Sequence, residues 1–381
     1  VLIEIKGTQF INKGAELMLH AIINKVKVLW PHAEICLAPD MNSPYLSRAR
    51  ICAYQKLNVR KNVIDLNGLF YFFPTFIRRY LKNTWGIVTE ADVDIILDAS
   101  GFLYGDQWST LILRQTAIET KRMKRKKKHY IFMPQALGPF SNSQSKLAAN
   151  SAFESATLVF AREEESFSHV KVCAPSANLY KAPDFTNLLS VMPIDLYKKY
   201  KGGVAFILNS KMISDKNESI QWRERYVLLT IEVIKSFINK GENVFLLNHE
   251  GKSDQLICDE VNKAFQYSLD IVAPTSSLDV KAIIGHSKVV FCSRYHGCVS
   301  ALSQGVPCIG TSWSHKYENL FEEYGMKELI MPSNIQQEQI DMLVTDTLDN
   351  HDAISTKLMK YSIEYQNASE QMWVKLANAV K

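Results

Sequence analysis

The chain has 381 residues, 47% of them hydrophobic and 22% charged, with 16 Gly, 12 Pro and a formal net charge of +5. This composition excludes disordered, fibrous and membrane-spanning classes, and the length calls for two domains of about 150 to 200 residues each. Seven scattered cysteines, mostly inside apolar segments, read as reduced, buried thiols of a cytoplasmic protein, and no secretory leader is expected ahead of the first strand.

Short runs rich in Val and Ile predict strands at 1–5, 34–37, 94–98, 130–133 and 158–161, with helical spacing between them at 14–27 and 107–124. After a polar, turn-rich stretch near 198–203 the pattern starts again, with strands at 204–208, 243–248, 271–273, 288–292 and 307–310. Strand and helix in alternation predict parallel sheets covered on both faces. The expected fold is α/β: two Rossmann-like doubly wound domains, residues 1–195 and 196–360, facing a cleft, followed by C-terminal helices. The last helix, 361–381, is expected to cross back to the first domain. In such sheets ligands sit at the carboxyl ends of strands, so the residues that directly follow strands are the candidates for chemistry.

The most informative strand end is Ser293-Arg-Tyr-His-Gly297, where a buried strand gives way to a helix. Free N–H groups and the positive helix end suit an anion there, and the Arg294 fork could hold phosphate or carboxylate in two parallel hydrogen bonds. His296 is either a general acid or base or a helix-capping histidine; Arg294, the strand end and the helix start together favour the first. Arg162 repeats the arrangement ahead of Glu163, Glu164 and Glu165, as a surface salt bridge or a second cation for a polyanion. Asp106 either holds a hydroxyl-bearing acceptor or caps the helix expected from Gln107. Asp184 reads as structural. Lys316 and His315 would add positive charge near Arg294, and Trp313 and Tyr317 would pack on a sugar face or line the core. The loop holding Gly7 and Gly14 is neither G-x-G-x-x-G nor a P-loop, which counts against a nicotinamide enzyme. Cys292, Cys298 and Cys308 lack a C-x-x-C spacing, so no metal is expected.

Taken together, Asn12-x-Gly14-Ala-Glu16, Gly101 to Asp106, Leu137-Gly-Pro-Phe140, Ala161 to Ser166, Ala182-Pro-Asp184, Ser293 to Gly297, Gly305-Val-Pro307 and Lys316 resemble the motifs of the polysaccharide pyruvyl transferases along most of the chain. That resemblance implies a fold similar to the two-Rossmann (GT-B) glycosyltransferases. It also implies transfer of a pyruvyl group from phosphoenolpyruvate onto two hydroxyls of a hexose, with release of phosphate and closure of a cyclic ketal. By the same analogy Arg162, Arg294, Tyr295, Gly297 and Lys316 serve the donor, His296 and Asp106 are catalytic, and Asn12, Gly14, Glu16, Tyr104 and His315 lie toward the acceptor or the cleft. No cofactor is required beyond the donor substrate.

The rival enzyme is a nucleotide-sugar glycosyltransferase, against which stands the lack of a suitably spaced acid pair around Glu318 to Glu323. Two further features concern surfaces. Lys121 to Lys128 is a basic run, either a solvated helix end or a meeting place for an anionic partner, and 69–79 joins Phe70, Tyr71, Phe72, Phe73 and Phe76 to Arg78 and Arg79. The aromatic segment packs on the core, meets a second copy, or lies on a bilayer. The last option fits an enzyme that visits the inner face of the cell membrane for a polyprenyl-linked acceptor. Nucleic acid is not expected as a partner.

Overall fold

The computed structural model describes every residue except Val63, Val191, Met192, Lys216, Glu218, Trp313 and Ser314, together with all side chains but theirs and that of His315. The chain forms two compact units, Val1–Phe185 with Ala368–Lys381, and Thr186–Asn367. Each is built on a parallel sheet.

The sheet of the first unit runs, in spatial order, Leu179–Lys181, Leu158–Ala161, His129–Gln135, Ile95–Asp98, Leu2–Lys6, Glu34–Leu37, Tyr54–Lys56 and Ile87–Val88. The chain starts at the centre, builds outward through Glu34–Leu37, and then returns to add Ile95–Asp98 on the other side. The topological switch therefore lies between the strands ending at Lys6 and Asp98, which pair in parallel register. The sheet of the second unit runs Ile271–Val272, Val244–Leu247, Val204–Ile207, Val289–Cys292, Cys308–Thr311 and Ile330–Met331. Its switch lies between the strands ending at Ile207 and Cys292.

The second sheet is buried on both faces, which is why its strands read as unbroken apolar runs. Ala205, Ile207, Phe245, Leu247, Val290 and Cys292 enter one core, while Val204, Phe206, Leu246, Val289 and Phe291 enter the other. The first helix, Lys13–Leu29, starts where its cap dictates: the Asn12 side chain accepts from the Ala15 N–H at 3.0 Å. The final helix, His351–Ala379, is unbroken. Its last turns belong to the first unit, where Trp373 meets Phe185 edge-on and Lys375 lies 3.8 Å from the Tyr180 ring centre. Among the described residues no helix is long and apolar enough to cross a membrane.

Beneath the helix Thr110–Arg125 the first unit buries a charged cluster. Glu119 accepts from Lys6 at 2.7 Å and from Lys56 at 3.3 Å, Arg60 lies within 3.5 Å of it, and Lys56 also pairs with Glu4. Burial opposes the charge on Glu119, yet Lys6, Lys56 and Arg60 hold its carboxyl well below the ordinary value. A carboxyl depressed in the folded state stabilises the fold above its unfolded pKa of 4.5, and that contribution is lost as pH falls through the folded value. Glu119→Gln is accordingly expected to lower stability near neutral pH by about 3 to 5 kcal/mol, because it strands buried cations. Thermal melts of parent and variant should converge as the pH drops below 4.5; equal melts at pH 7 would show that the cluster does not depend on Glu119.

Candidate active site

Ser293 to Gly297 lies at the switch point of the second sheet, where the strand Val289–Cys292 hands over to the helix Tyr295–Leu302. Ser293 ties the turn down. Its hydroxyl is 2.6 Å from the Tyr226 hydroxyl and accepts from Thr311 at 2.8 Å, while its carbonyl accepts from the Asn209 side chain at 2.8 Å and from Tyr317 at 3.1 Å. These bonds join three strand ends at one point, so the helix start behind them is rigidly placed.

Arg294 is the N-cap residue of that helix and is buried. Its fork is not open to an anion. Nε donates to Asp254 Oδ2 at 3.0 Å, one terminal nitrogen meets Asp254 Oδ1, and the other meets Glu250. Burial is the main cause that pushes the guanidinium down to about 10 and the Asp254 carboxyl up to about 7, the Ser210 N–H holding the latter back in part. The two-point contact opposes both shifts by favouring the charged pair. The fork expected to take a donor's phosphate or carboxylate is filled here by the segment Glu250 to Asp254, which follows Val244–Leu247, the strand on the far side of Val204–Ile207.

His296 occupies the second position of the helix and is half-buried, its ring edge-on to Tyr295 at 5.5 Å. Tyr295 is in turn edge-on to Tyr317 at 5.8 Å, and Lys316 Nζ lies 5.4 Å from the Tyr295 ring centre and 5.6 Å from that of Tyr317. An imidazole, an ammonium and a helix amino end are therefore assembled within one unit. Gly297 has a packing reason of its own: a Cβ there would stand 2.5 Å from Cys292 Sγ. Gly297→Ala should destabilise the second unit by about 1 to 3 kcal/mol, seen as an earlier midpoint in urea; an unchanged midpoint would refute this contact. His315 and Trp313 have side chains outside the described residues. Cys292, Cys298 and Cys308 are buried, their thiols pushed up by burial, and no group of three or more His, Cys, Asp or Glu placed to hold a metal occurs among the described residues.

In the first unit the motifs that sequence singled out meet at the ends of three adjacent strands. Gly138 N donates to the Tyr104 carbonyl at 2.7 Å, Asp106 N to the Pro139 carbonyl at 3.0 Å, and Leu137 N to the Ser166 hydroxyl at 2.8 Å. Gly138 has φ +90°, and a Cβ there would press into the His169 ring at 2.6 Å. Arg162 is buried, not a surface residue, with Nε 3.3 Å from Glu163 and a terminal nitrogen 3.4 Å from Asp184.

Asp106 does not cap the helix that follows it, and its carboxylate is engaged by a different segment. One carboxylate oxygen accepts from the Ser141 N–H at 2.6 Å and from the Ser141 hydroxyl, and the other accepts from Ser145 at 3.1 Å. Desolvation, the largest single cause, raises its pKa, but the bonds from Ser141 and Ser145 together outweigh it and hold the carboxyl below the usual value, so it is a poor proton acceptor. The helix after it starts at Thr110 under a Ser109 cap. Tyr104 is a core residue instead of a cleft residue, its hydroxyl 2.5 Å from Asp98. Asn12 is engaged as a helix cap, and Glu16 pairs with Lys13 at 2.9 Å. Gly14 is buried in the first turn of that helix. A separate cavity at the ends of the first two strands is lined by Gly7, Thr8, Gln9, Asp40 and Asn42 among others.

Sequence reading missed Asn209, Glu250 and Asp254. Asn209 and Glu250 stand just past strand ends in the second sheet, so the rule that selected Arg294 would have reached them, whereas Asp254 lies in the first turn of the helix Lys252–Lys263, beyond that rule.

The sequence model of polysaccharide pyruvyl transferases matches residues 12–315. The chain belongs to that family. It is thus an enzyme of polysaccharide biosynthesis that transfers pyruvyl groups. No curated protein matches the chain. Among solved structures it is similar to a UDP-GlcNAc 2-epimerase from Neisseria meningitidis bound to UDP-GlcNAc, with a TM-score of 0.62 at 10% identity over 98% of this chain and 99% of that one. A Methanocaldococcus jannaschii UDP-GlcNAc 2-epimerase gives 0.59 at 12% identity, covering 91% and 92%. An Anabaena protein solved with UDP and glucose gives 0.55 at 11%, covering 100% and 98%. Such likeness establishes the GT-B type of fold and nothing of the substrate.

Proposed function

We propose that this pyruvyl transferase takes phosphoenolpyruvate as donor and builds a cyclic ketal on two hydroxyls of a hexose within a lipid-linked polysaccharide precursor. The observation that supports it is His296 in the first turn of Tyr295–Leu302, at the switch point of the second sheet with Lys316 alongside. Phosphoenolpyruvate concentrates negative charge on a phosphate and a carboxylate. The helix amino end and Lys316 offset that charge, and the anion favours the protonated imidazole. Arg294 acts as a positioning residue through Asp254 and Glu250, and Arg162 is a further cation of the family motif set.

In the proposed sequence His296 gives its proton to C3 of the enol, which becomes the methyl group, and C2 becomes electrophilic. One sugar hydroxyl adds to C2 and returns its proton to the imidazole. The C2–O bond to phosphate then breaks, and the second hydroxyl adds in its place. Of the two hydroxyl protons, one thus ends in the methyl group and the other on phosphate. His296 is regenerated. A place at the inner face of the cell membrane, where lipid-linked sugars are met, completes the proposal.

A thermal-shift comparison tests the donor. Phosphoenolpyruvate at a hundred times its Kd should stabilise by about 2.7 kcal/mol, and UDP-sugars should leave the melt unmoved. The reverse pattern would favour glycosyl transfer.

A further inference from the structure

The aromatic segment and the basic run, some fifty residues apart in sequence, adjoin in the first unit. Residues Asn67–Phe72 form a 3-10 turn packed on the end of the helix Thr110–Arg125: a Cβ on Gly68 would touch Arg122 Cδ at 3.4 Å. The Tyr71 ring carries Lys126 Nζ at 4.7 Å and Lys128 Nζ at 5.5 Å from its centre. The run is therefore divided in use. Arg122 pairs with Glu90 and Asp65, and Lys128 donates to the Ala91 and Val93 carbonyls at 2.8 and 2.5 Å. Lys121, Lys124, Arg125, Lys126 and Lys127 remain exposed.

The helix Thr75–Trp85 that follows has no buried residue. It meets the protein through half-buried Ile77, Arg78, Leu81 and Lys82; Arg78 pairs with Asp92 and Lys82 with Glu34. Phe76 and Tyr80, one turn apart, point outward at 74% and 59% exposure, continuing a face begun by Phe72 at 84%. A soluble domain ordinarily shelters its aromatics and shows its cations. Here the helix shelters an arginine and a lysine while presenting phenylalanine, which is the arrangement of an element that finishes its burial elsewhere.

We propose that the face built from Leu69, Phe72, Phe73, Phe76 and Tyr80 docks on an anionic lipid bilayer, with Arg79, Lys126 and Lys127 meeting the headgroups. Aromatic residues rimmed by cations match the two layers of such a surface, apolar below and anionic above. A second copy fits less well, because two-fold pairing of this face would bring its own basic rim against itself. The inference deepens the membrane location proposed above by naming the surface that meets the lipid, and it does not depend on the donor chemistry.

The test is co-sedimentation of the full chain with phosphatidylglycerol vesicles and with phosphatidylcholine vesicles. Binding is expected to the first and to weaken as salt is added. Phe72→Ser with Phe76→Ser should weaken it at least about tenfold, and Lys126→Gln with Lys127→Gln by about fivefold per lysine. Since all four side chains are exposed, the melts of the variants should match the parent, which makes loss of binding readable. No sedimentation with either vesicle would overturn the proposal. So would equal sedimentation of parent and Phe72→Ser/Phe76→Ser protein, or a dimer abolished by those two changes in the absence of lipid binding. Because the readout is binding, its failure would leave turnover with a soluble acceptor untouched, and the donor chemistry stands or falls separately.

Discussion

Replacing His296 with Gln is expected to reduce phosphoenolpyruvate-dependent turnover by about 100-fold or more while leaving the melting temperature near that of the parent. The first half of this expectation comes from chemistry. In the proposed reaction carbon is protonated at C3 of the enol, and a positioned imidazole is the ordinary means of doing so at pH 7. The second half comes from structure. His296 is half-buried on the first turn and contributes ring contact to Tyr295, whereas the turn itself is held by Ser293, Asn209, Tyr226, Thr311 and Tyr317. Glutamine keeps the volume and some hydrogen bonding but cannot deliver a proton to carbon. In D2O the parent should place solvent deuterium in the product methyl group with a rate penalty, and any residual turnover of the variant should show a different penalty. Turnover close to the parent with an intact fold would take His296 out of the mechanism.

Removing Asp254 should have the largest effect on stability of any change near the site, about 3 to 5 kcal/mol. Its carboxylate is fully buried and grips the Arg294 fork from one side while Glu250 holds the remaining nitrogen. Without it, a buried guanidinium keeps a single counter-ion, and the Ser210 N–H loses its acceptor as well. The same variant separates two roles for Arg294. If the fork positions the loop, Asp254→Ala should weaken phosphoenolpyruvate binding along with the fold. If the fork is a donor ligand held in reserve, freeing it should tighten binding. Weaker binding by calorimetry, paired with a lower melting temperature, is the expected outcome; tighter binding would contradict the positioning role.

Most of the strands were legible because both faces of each sheet are covered, so Val204–Ile207 or Leu158–Ala161 appear as compact apolar runs between helical periods. Tyr54–Lys56, Ile87–Val88 and Ile330–Met331 were not, since two- or three-residue strands toward a sheet edge carry too few side chains to show a period. At the site, the strand-to-helix turn at Ser293–Gly297 was legible from an apolar run ending in polar residues. What was not legible was who occupies each polar group. A sequence places an arginine at a strand end without saying that Asp254, forty residues earlier, will fill its fork. Asp106 shows the same limit: a carboxylate after a strand looks available until Ser141 and Ser145 are seen to close on it. Gly297 was read for a ligand alone, and the Cys292 thiol that leaves no room for a side chain there was not legible.

Incubation of the purified protein with phosphoenolpyruvate and a lipid-linked hexose acceptor, following phosphate release and product mass together, tests the central claim most directly. The account predicts one phosphate released per acceptor modified, and a product heavier by pyruvic acid less one water, with two sugar hydroxyls lost to the ketal. Phosphate release without that mass, or a glycosylated product formed only when a nucleotide sugar is supplied, would contradict it.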